Sequence, residues 1–430
     1  MNLHNTPLSS LVPLLLITAC LPEKPDTLVC GEGTHEEDGA CVADPATGDD
    51  TGEPTGDDGG GEGGSEGGAE SGEGGGEEGG GEAGGSDSDS GGGGEGGGDG
   101  GSEGGGDGGG ADYDVLVCDE GGDYTSIQDA VDEAGRGDVI AVCAGTWDQV
   151  EIDNQELTLI GLDGSESTIL EGTDAPALDA DDSTITVTGF TIRGRYEGPS
   201  AVLLVDTDGA FDDIRISDNL VGQAVSLQGG TTTWENLVAE DNESRNSFFS
   251  LGSNYTTGST YATIRHCLFQ DNLFGDVGLA LNGAHVELSN CAFVGNTSAL
   301  QLLSASSGEL MYNLVLYNNT TSNQFLVYVG TGATLTNSIF QENTTTLSMV
   351  YGFSTGTVSY TDFYNNVGTV GVGGSGNTSN NPRFVDAAAG DFTLDSVSPC
   401  IDAGDPSSLY NDVDGTTNDM GVFGGPFGSW

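Results

Sequence analysis

A nine-residue pattern recurs through the carboxy-terminal half of the chain. It runs apolar, any, Asn-like, any, any, apolar, any, any, Asn, and it is complete in Leu288-Ser289-Asn290-Cys291-Ala292-Phe293-Val294-Gly295-Asn296. With the Asn-like residue as reference, copies fall at 161, 189, 218, 236, 266, 290, 313, 337 and 360, the looser ones being Gly161, Gly189 and Asp218. The mean interval is near 25 residues, and the last four intervals are 24, 23, 24 and 23. Such a period, carried by short Val/Ile/Thr/Phe-rich runs with Gly and Asn punctuation, fits one turn of a β-solenoid. Three residues past the reference stand Ile192, Val221, Ala239, Phe269, Phe293, Leu316, Phe340 and Phe363. This wholly apolar column is expected to point into the coil. Six residues past it stand Asn242, Asn272, Asn296, Asn319, Asn343 and Asn366. Asn tolerates left-handed turns, and stacked Asn side chains hydrogen-bond from copy to copy. A leucine-rich repeat would need several consensus leucines per turn, and a propeller would need blades of roughly 40 residues. The fold class is therefore all-β: a β-solenoid, read as a single-stranded parallel β-helix over residues 113–380.

The start of this region reads as a cap. A strand at residues 115–118 precedes Ile127, Ala130, Val131 and Ala134, spaced as one helical face. Thr125 or Ser126 suits the N-cap and Gly135 the stop. A second strand, residues 139–143, leads into Ala144-Gly145-Thr146-Trp147. The stretch resembles the amino-terminal cap of pectin-lyase-like right-handed β-helix proteins, in which a helix covers the open end of the coil. Residues 381–430 carry Asn381-Pro382-Arg383-Phe384-Val385-Asp386, Gly390-Asp391-Phe392-Thr393-Leu394, Ser398-Pro399-Cys400-Ile401-Asp402-Ala403-Gly404 and Asp419-Met420-Gly421. They resemble the choice-of-anchor Q tail of bacterial surface β-helix proteins. One departure is that Asp412-Val413-Asp414-Gly415 continues into Thr416 and Thr417, where that family has an Arg. The tail is expected to cap the last rung and shield its edge.

The amino-terminal segments give an address. Residues 8–17 form an apolar run too short to span a bilayer and suited to a signal peptide. It ends in Ile17-Thr18-Ala19-Cys20, which resembles a bacterial lipobox. The resemblance implies a signal peptide over residues 1–19, lipidation of Cys20, and a membrane partnership through the acyl chains. Leu21, rather than Asp, after the Cys points to the outer membrane or cell surface. Within the anchor segment 20–45, Cys30 and Cys41 are candidates for a small disulfide loop. Residues 46–112 hold 34 of the 75 glycines and 19 acids, without Lys, Arg or aromatics. They are expected to form a disordered tether of roughly 45 Å.

Chemistry is sparse. The main domain has 43 acids and seven Arg, a net charge of −36, and no Lys. Such a field repels nucleic acid and bare polyuronates and favours neutral glycans or surface proteins as partners. Lyases of the resembled fold use an Arg or Lys base with carboxylate-held Ca²⁺; Arg193 and Arg195 share a rung but suit paired surface charges. Hydrolases of this fold need converging Asp, and the clusters at Asp179/Asp181/Asp182, Asp206/Asp208 and Asp212/Asp213 suit turns as well. No catalytic, cofactor or metal residue is assigned, though Asp412, Asp414 and Asp419 would suit a Ca²⁺ ion. Cys118 and Cys143 are expected to bridge near the cap. Cys267 and Cys291 occupy one repeat position, either as a buried thiol stack or as a disulfide, and Cys400 has no evident partner. Tyr317 and Tyr364 share a repeat position two rungs apart and are the weak ligand candidates, through ring-face stacking on sugars. The reading is a lipid-anchored surface β-helix that is structural or glycan-binding; its alternative is a polysaccharide-active enzyme.

Overall fold

The computed structural model describes residues 34–37, 40–43, 112–194, 198, 200–252, 260–281, 284–352 and 356–428. The chain divides into two compact units, Met1–Gly101 and Ser102–Trp430. In the first, strands Thr34–Glu37 and Ala40–Ala43 pair antiparallel, with Glu36 opposite Cys41. The expected signal peptide, Cys20, the expected bridge from Cys30 to Cys41, and residues 46–111 of the expected tether lie outside the described residues.

The second unit is a parallel β-solenoid of about ten turns. Its described strands build a sixteen-stranded and a fifteen-stranded ladder, each linking a rung to the next. Successive rungs stack Trp147, Leu170, Ile192, Ile216, Ala239, Phe269, Phe293, Leu316, Phe340 and Phe363 into one inward column. All ten are buried, as the apolar column predicts.

The register corrects one rung of the repeat. Gly189 stacks on a column that continues through Asp213, Asn236, His266, Asn290, Asn313, Asn337 and Tyr360. Asp213, not Asp218, is therefore the reference on the third rung, and Ile216, not Val221, is its inward residue. From Gly189 onward every member has φ between 46° and 78°, the left-handed region that Gly, Asn and Asp enter at least cost. Asp218 belongs to a second left-handed column with Asp241, Asp271, Gly295, Asn318, Glu342 and Asn365. Each rung thus has two corners of like chemistry five residues apart, which is why Asp218 mimics a reference residue.

The residue after the second corner forms the asparagine ladder. It has seven members, because the corrected register adds Asn219. Each Asn Nδ2 from Asn219 to Asn343 donates to the next Oδ1 at 2.8–3.0 Å. It also donates to a carbonyl of the preceding rung, as Asn319 does to Phe293 at 2.8 Å. Each Oδ1 from Asn242 to Asn366 in turn accepts the preceding Asn backbone N–H at 2.9–3.2 Å. A buried amide is thereby satisfied on both sides, which its burial demands.

The amino-terminal end is closed by helix Ile127–Glu133. Ser126 caps it by accepting from Asp129 N–H at 3.3 Å, and Ile127, Ala130 and Val131 are buried. Cys118 and Cys143 are joined in a disulfide between the two first strands, with Cα atoms 5.1 Å apart. Cys267 and Cys291 sit side by side in register as buried free thiols, resolving the alternative in favour of the thiol stack. Each donates to a backbone carbonyl, Arg265 O at 3.1 Å and Ser289 O at 3.2 Å.

The tail does more than close the last rung. Residues 377–380 do lie on that rung: Thr361 N–H donates to Asn377 at 3.1 Å, and Thr378 Oγ1–H donates to Asp362 at 2.6 Å. From there the chain runs back along the outside of the coil. Phe392, Cys400, Met420 and Val422 bury themselves on outward residues Ala292, Val315 and Ile339. Asn290 Nδ2 donates to the Val422 and Gly424 carbonyls at 2.8 and 2.9 Å, and His266 Nε2 lies 2.8 Å from the Phe427 carbonyl. The tail is therefore a strap reaching four rungs back from Tyr360 to His266. The end-cap expectation is corrected to this extent.

Candidate functional site

The strap covers the outer side of one face from His266 onward and leaves the earlier rungs bare. On the bare part Thr191 and Arg193, Arg215 and Ser217, and Glu240 follow one another on neighbouring rungs. With Glu166, Asp218 and Asp241 they line an open trough of about 370 Å³. Arg215 is paired with Glu240, and Arg193 with Asp218 at 3.5 Å. Arg193 and Arg215, diagonal on neighbouring rungs, line the trough together; Arg195, expected beside Arg193, lies outside the described residues. Further on, Arg265 pairs with Glu287 at 2.7 Å and is covered by the Phe427 ring, 3.9 Å from its centroid.

The acidic clusters are corners and staples. Asp182, Asp206 and Asp213 hold left-handed turns. Asp213 accepts from Ser165 Oγ–H at 2.7 Å, Asp212 from Asn236 at 2.7 Å, and Asp208 from Thr231 N–H at 2.7 Å. In the strap, Asp412 accepts from Asp419 N–H at 3.1 Å and Gly425 N–H at 2.5 Å, while Asp419 accepts from Asp402 N–H at 2.7 Å. Among the described residues no three His, Cys, Asp or Glu are grouped to hold a metal. Asp412, Asp414 and Asp419 hold strap turns together. Burial raises the Asp419 carboxyl to about 6, and the charges of Asp412, Asp402 and Asp414 push the same way. Burial also lifts the Cys400 thiol to about 12, with Asp362 adding to it.

The two tyrosine candidates part company. Tyr317 is half-buried beneath the strap, its ring edge-on to Phe392 at 5.7 Å. It is a docking residue for the tail and offers no open ring face. Tyr364 stands on the last strand of that face, beside Gln341 in register, and is half-buried. The register places the two in one column two rungs apart, with Gln341 between them.

A different aromatic group stands on the outer side of the coil, half-buried at Phe325 and Tyr328 and exposed at Tyr351. Phe325 and Tyr328 lie on strand Phe325–Thr331, and Tyr351 on the following rung. Tyr351 stacks on Phe325 at 4.8 Å and 20°, and on Tyr328 at 6.2 Å and 22°. Tyr351 is 44% exposed, and Leu300 and Leu347 close by in register are exposed too. Sequence reading missed this group because strict alternation would send Phe325 and Tyr328 to opposite sides. Leu326 and Val327 are both buried, so the alternation breaks there and both rings turn outward.

Solved structures similar to this chain include pectin methylesterase from carrot (14% identity, 66% of this chain and 98% of that one, TM-score 0.31). Pectate lyase Pel9A is 14% identical, with 72% and 95% covered and a TM-score of 0.35. Alginate lyase from Paenibacillus sp. str. FPU-7 is 11% identical, with 59% and 94% covered and a TM-score of 0.30. Likeness at this level concerns the fold and carries no activity across. A search of curated proteins gives no match. Over residues 200–381 the chain matches the family described as right handed beta helix region, and the solenoid is a right-handed parallel β-helix.

Proposed function

We propose that the protein is a lipid-anchored, cell-surface β-helix acting as a structural and glycan- or partner-binding element, not as an enzyme. The observation that carries this is the neutralisation of its cations. Where two Arg meet on an open face, each is already held by a carboxylate, Arg193 by Asp218 and Arg215 by Glu240. A β-elimination base must be free to take a proton, and a polyuronate must find positive charge. The domain has no Lys and carries −36. The lipobox-like Ile17-Thr18-Ala19-Cys20 and the glycine-rich tether support attachment at the outer membrane.

The alternative, a polysaccharide-active enzyme, draws on one feature. The trough sets Arg donors beside Glu166, Glu240 and Asp241 on an open lateral face. The deciding experiment incubates the full-length protein with pectate, methylated pectin and alginate, with and without Ca²⁺, and follows unsaturated or reducing ends. No release above a blank is expected. Turnover that Arg215→Ala abolishes would overturn the proposal.

A further inference from the structure

We propose that the Cys118–Cys143 disulfide is a mechanical staple, which carries a pull on the amino-terminal side of the chain past the cap and into the coil. This rests on the lipid-anchored reading and adds to it the part that bears the tension. A protein held to a membrane at Cys20 and to a surface partner through its solenoid is stretched between the two. The pull then enters the second unit through Asp112, Tyr113 and Asp114, its first described residues, all exposed.

Without the bridge, the first element to meet that pull is strand Val115–Val117, three residues long. Among the described strands it pairs with Asp138–Val142 alone, and one further bridge joins Val117 to Tyr124. Asp114 N–H donates to Val139 O, and Cys143 N–H to Val117 O, both at 2.9 Å. Pulled from the chain end, such bonds break one at a time rather than together. Next comes helix Ile127–Glu133, which closes the coil with Ile127, Ala130 and Val131. Gln128 ties it to the rung, donating to Glu151 O at 3.0 Å and accepting from Glu151 N–H at 2.8 Å. Each rung of a solenoid is held by its neighbours only. Loss of this cap therefore bares the next rung, and the coil unravels from the end that is pulled.

The bridge changes the route. Cys118 directly follows the first strand, and Cys143 directly follows Asp138–Val142. Tension arriving at Cys118 crosses to Cys143, and residues 119–142, the helix included, drop out of its path. Cys143 is flanked on both sides by strands paired to the next rung. Asp138–Val142 pairs with Leu157–Gly161 at five positions, and Gly145–Asp148 with Thr168–Glu171 at four. Buried Trp147 adds an indole N–H donated to Cys143 O at 3.0 Å. The staple also lasts. Disulfides persist outside the cytoplasm, and among the described residues the free thiols Cys267, Cys291 and Cys400 are all buried, away from exchange with it.

The test stretches the full-length protein between handles at its two ends, one molecule at a time. Under oxidising conditions the parent should show no early step from the amino-terminal side. Cys118→Ser/Cys143→Ser should gain one before any other loss from the coil. That step releases residues 112–142, about 100 Å of chain at 3.3–3.6 Å per residue. Strap release, at the other end, is common to both. Reducing the folded parent, with opening of the bridge confirmed by mass, should produce the same step and reads the bridge even where the double variant fails to fold. Reduction also opens the expected Cys30–Cys41 loop, a distinct gain of roughly 40 Å. A double variant or reduced parent whose coil yields as the oxidised parent's does overturns the staple, even where it melts lower, since that is thermal stabilisation alone. The traces involve no membrane, so a failed staple and a failed anchor stay apart: loss of the anchor shows only when Cys20→Ala sediments as the parent does.

Discussion

A single ladder asparagine carries four bonds that nothing else in the coil can replace. Asn319 Oδ1 accepts from the Asn296 backbone and side chain, both at 3.0 Å, and its Nδ2 reaches Phe293 O at 2.8 Å and Asn343 Oδ1 at 3.0 Å. Asn319→Ala strands the two Asn296 donors away from water. Each orphaned group costs about 1–3 kcal/mol, so a loss of roughly 3 kcal/mol or more is expected. Asn366 closes the ladder and is half-buried, so that water can reach the groups around it; its Oδ1 accepts from the Asn343 backbone and side chain at 2.9 and 3.0 Å, and its Nδ2 donates to Phe340 O at 2.8 Å. Water can replace much of what Asn366→Ala removes, so its cost should be about 1 kcal/mol. Urea unfolding of both variants measures the difference, and equal losses would mean the ladder does not act as a buried network. The inward residue behaves alike: Phe293→Asp buries an unpaired charge and should cost several kcal/mol. Val294, the next residue, is half-buried against the strap cluster, so Val294→Asp should be costly too, though less so.

Among elements, the strap is the one whose attachment depends on protons. Asp419 sits half-buried in it with a carboxyl raised to about 6, and Asp412 and Asp362 are also raised, each first by burial. A folded-state value above the unfolded one means the folded form binds its proton more tightly. Their contribution is complete below the unfolded value, about 4, and is lost as pH rises through about 6. Asp395, held low by Arg383, acts oppositely, but only at pH below the ordinary carboxylate range. The melting temperature should therefore rise between pH 7 and pH 5, and Asp419→Asn, which keeps an acceptor for Asp402 N–H, should flatten that rise. A parent that melts lower at pH 5 than at pH 7 would refute the assignment. The strap also marks the limit of what the sequence discloses. The inward column and the ladder are legible because identical neighbours impose identical residues on every rung. The third rung is not, because Asp213 and Asp218 both serve left-handed corners. The path of the tail is hidden because Ala292, Val315 and Ile339, its seat, read as ordinary strand apolars. The outward turn of Phe325 and Tyr328 is hidden by one break of alternation at Leu326-Val327.

At the scale of the whole molecule, what must be explained is how so acidic a chain is kept where it works. A formal charge of −61 repels anionic lipid surfaces, so electrostatics cannot hold it to one. Among the described residues no helix is long and apolar enough to cross a membrane. On the proposed reading the hold is covalent, through acyl chains on Cys20; one chain is marginal and two or three suffice. On the same reading the glycine-rich segment, with 19 carboxylates and no Lys or Arg, would serve as the spacer. Cys20→Ala, expressed in a bacterium with lipoprotein processing, should move the protein from the membrane fraction to the soluble one or leave an unprocessed precursor. It should also lose incorporation of labelled palmitate. High-salt washing should not release the parent, since the attachment is not ionic. A Cys20→Ala protein that still sediments with membranes, or a parent released by salt, would sink the lipid-anchor proposal and leave the solenoid untouched.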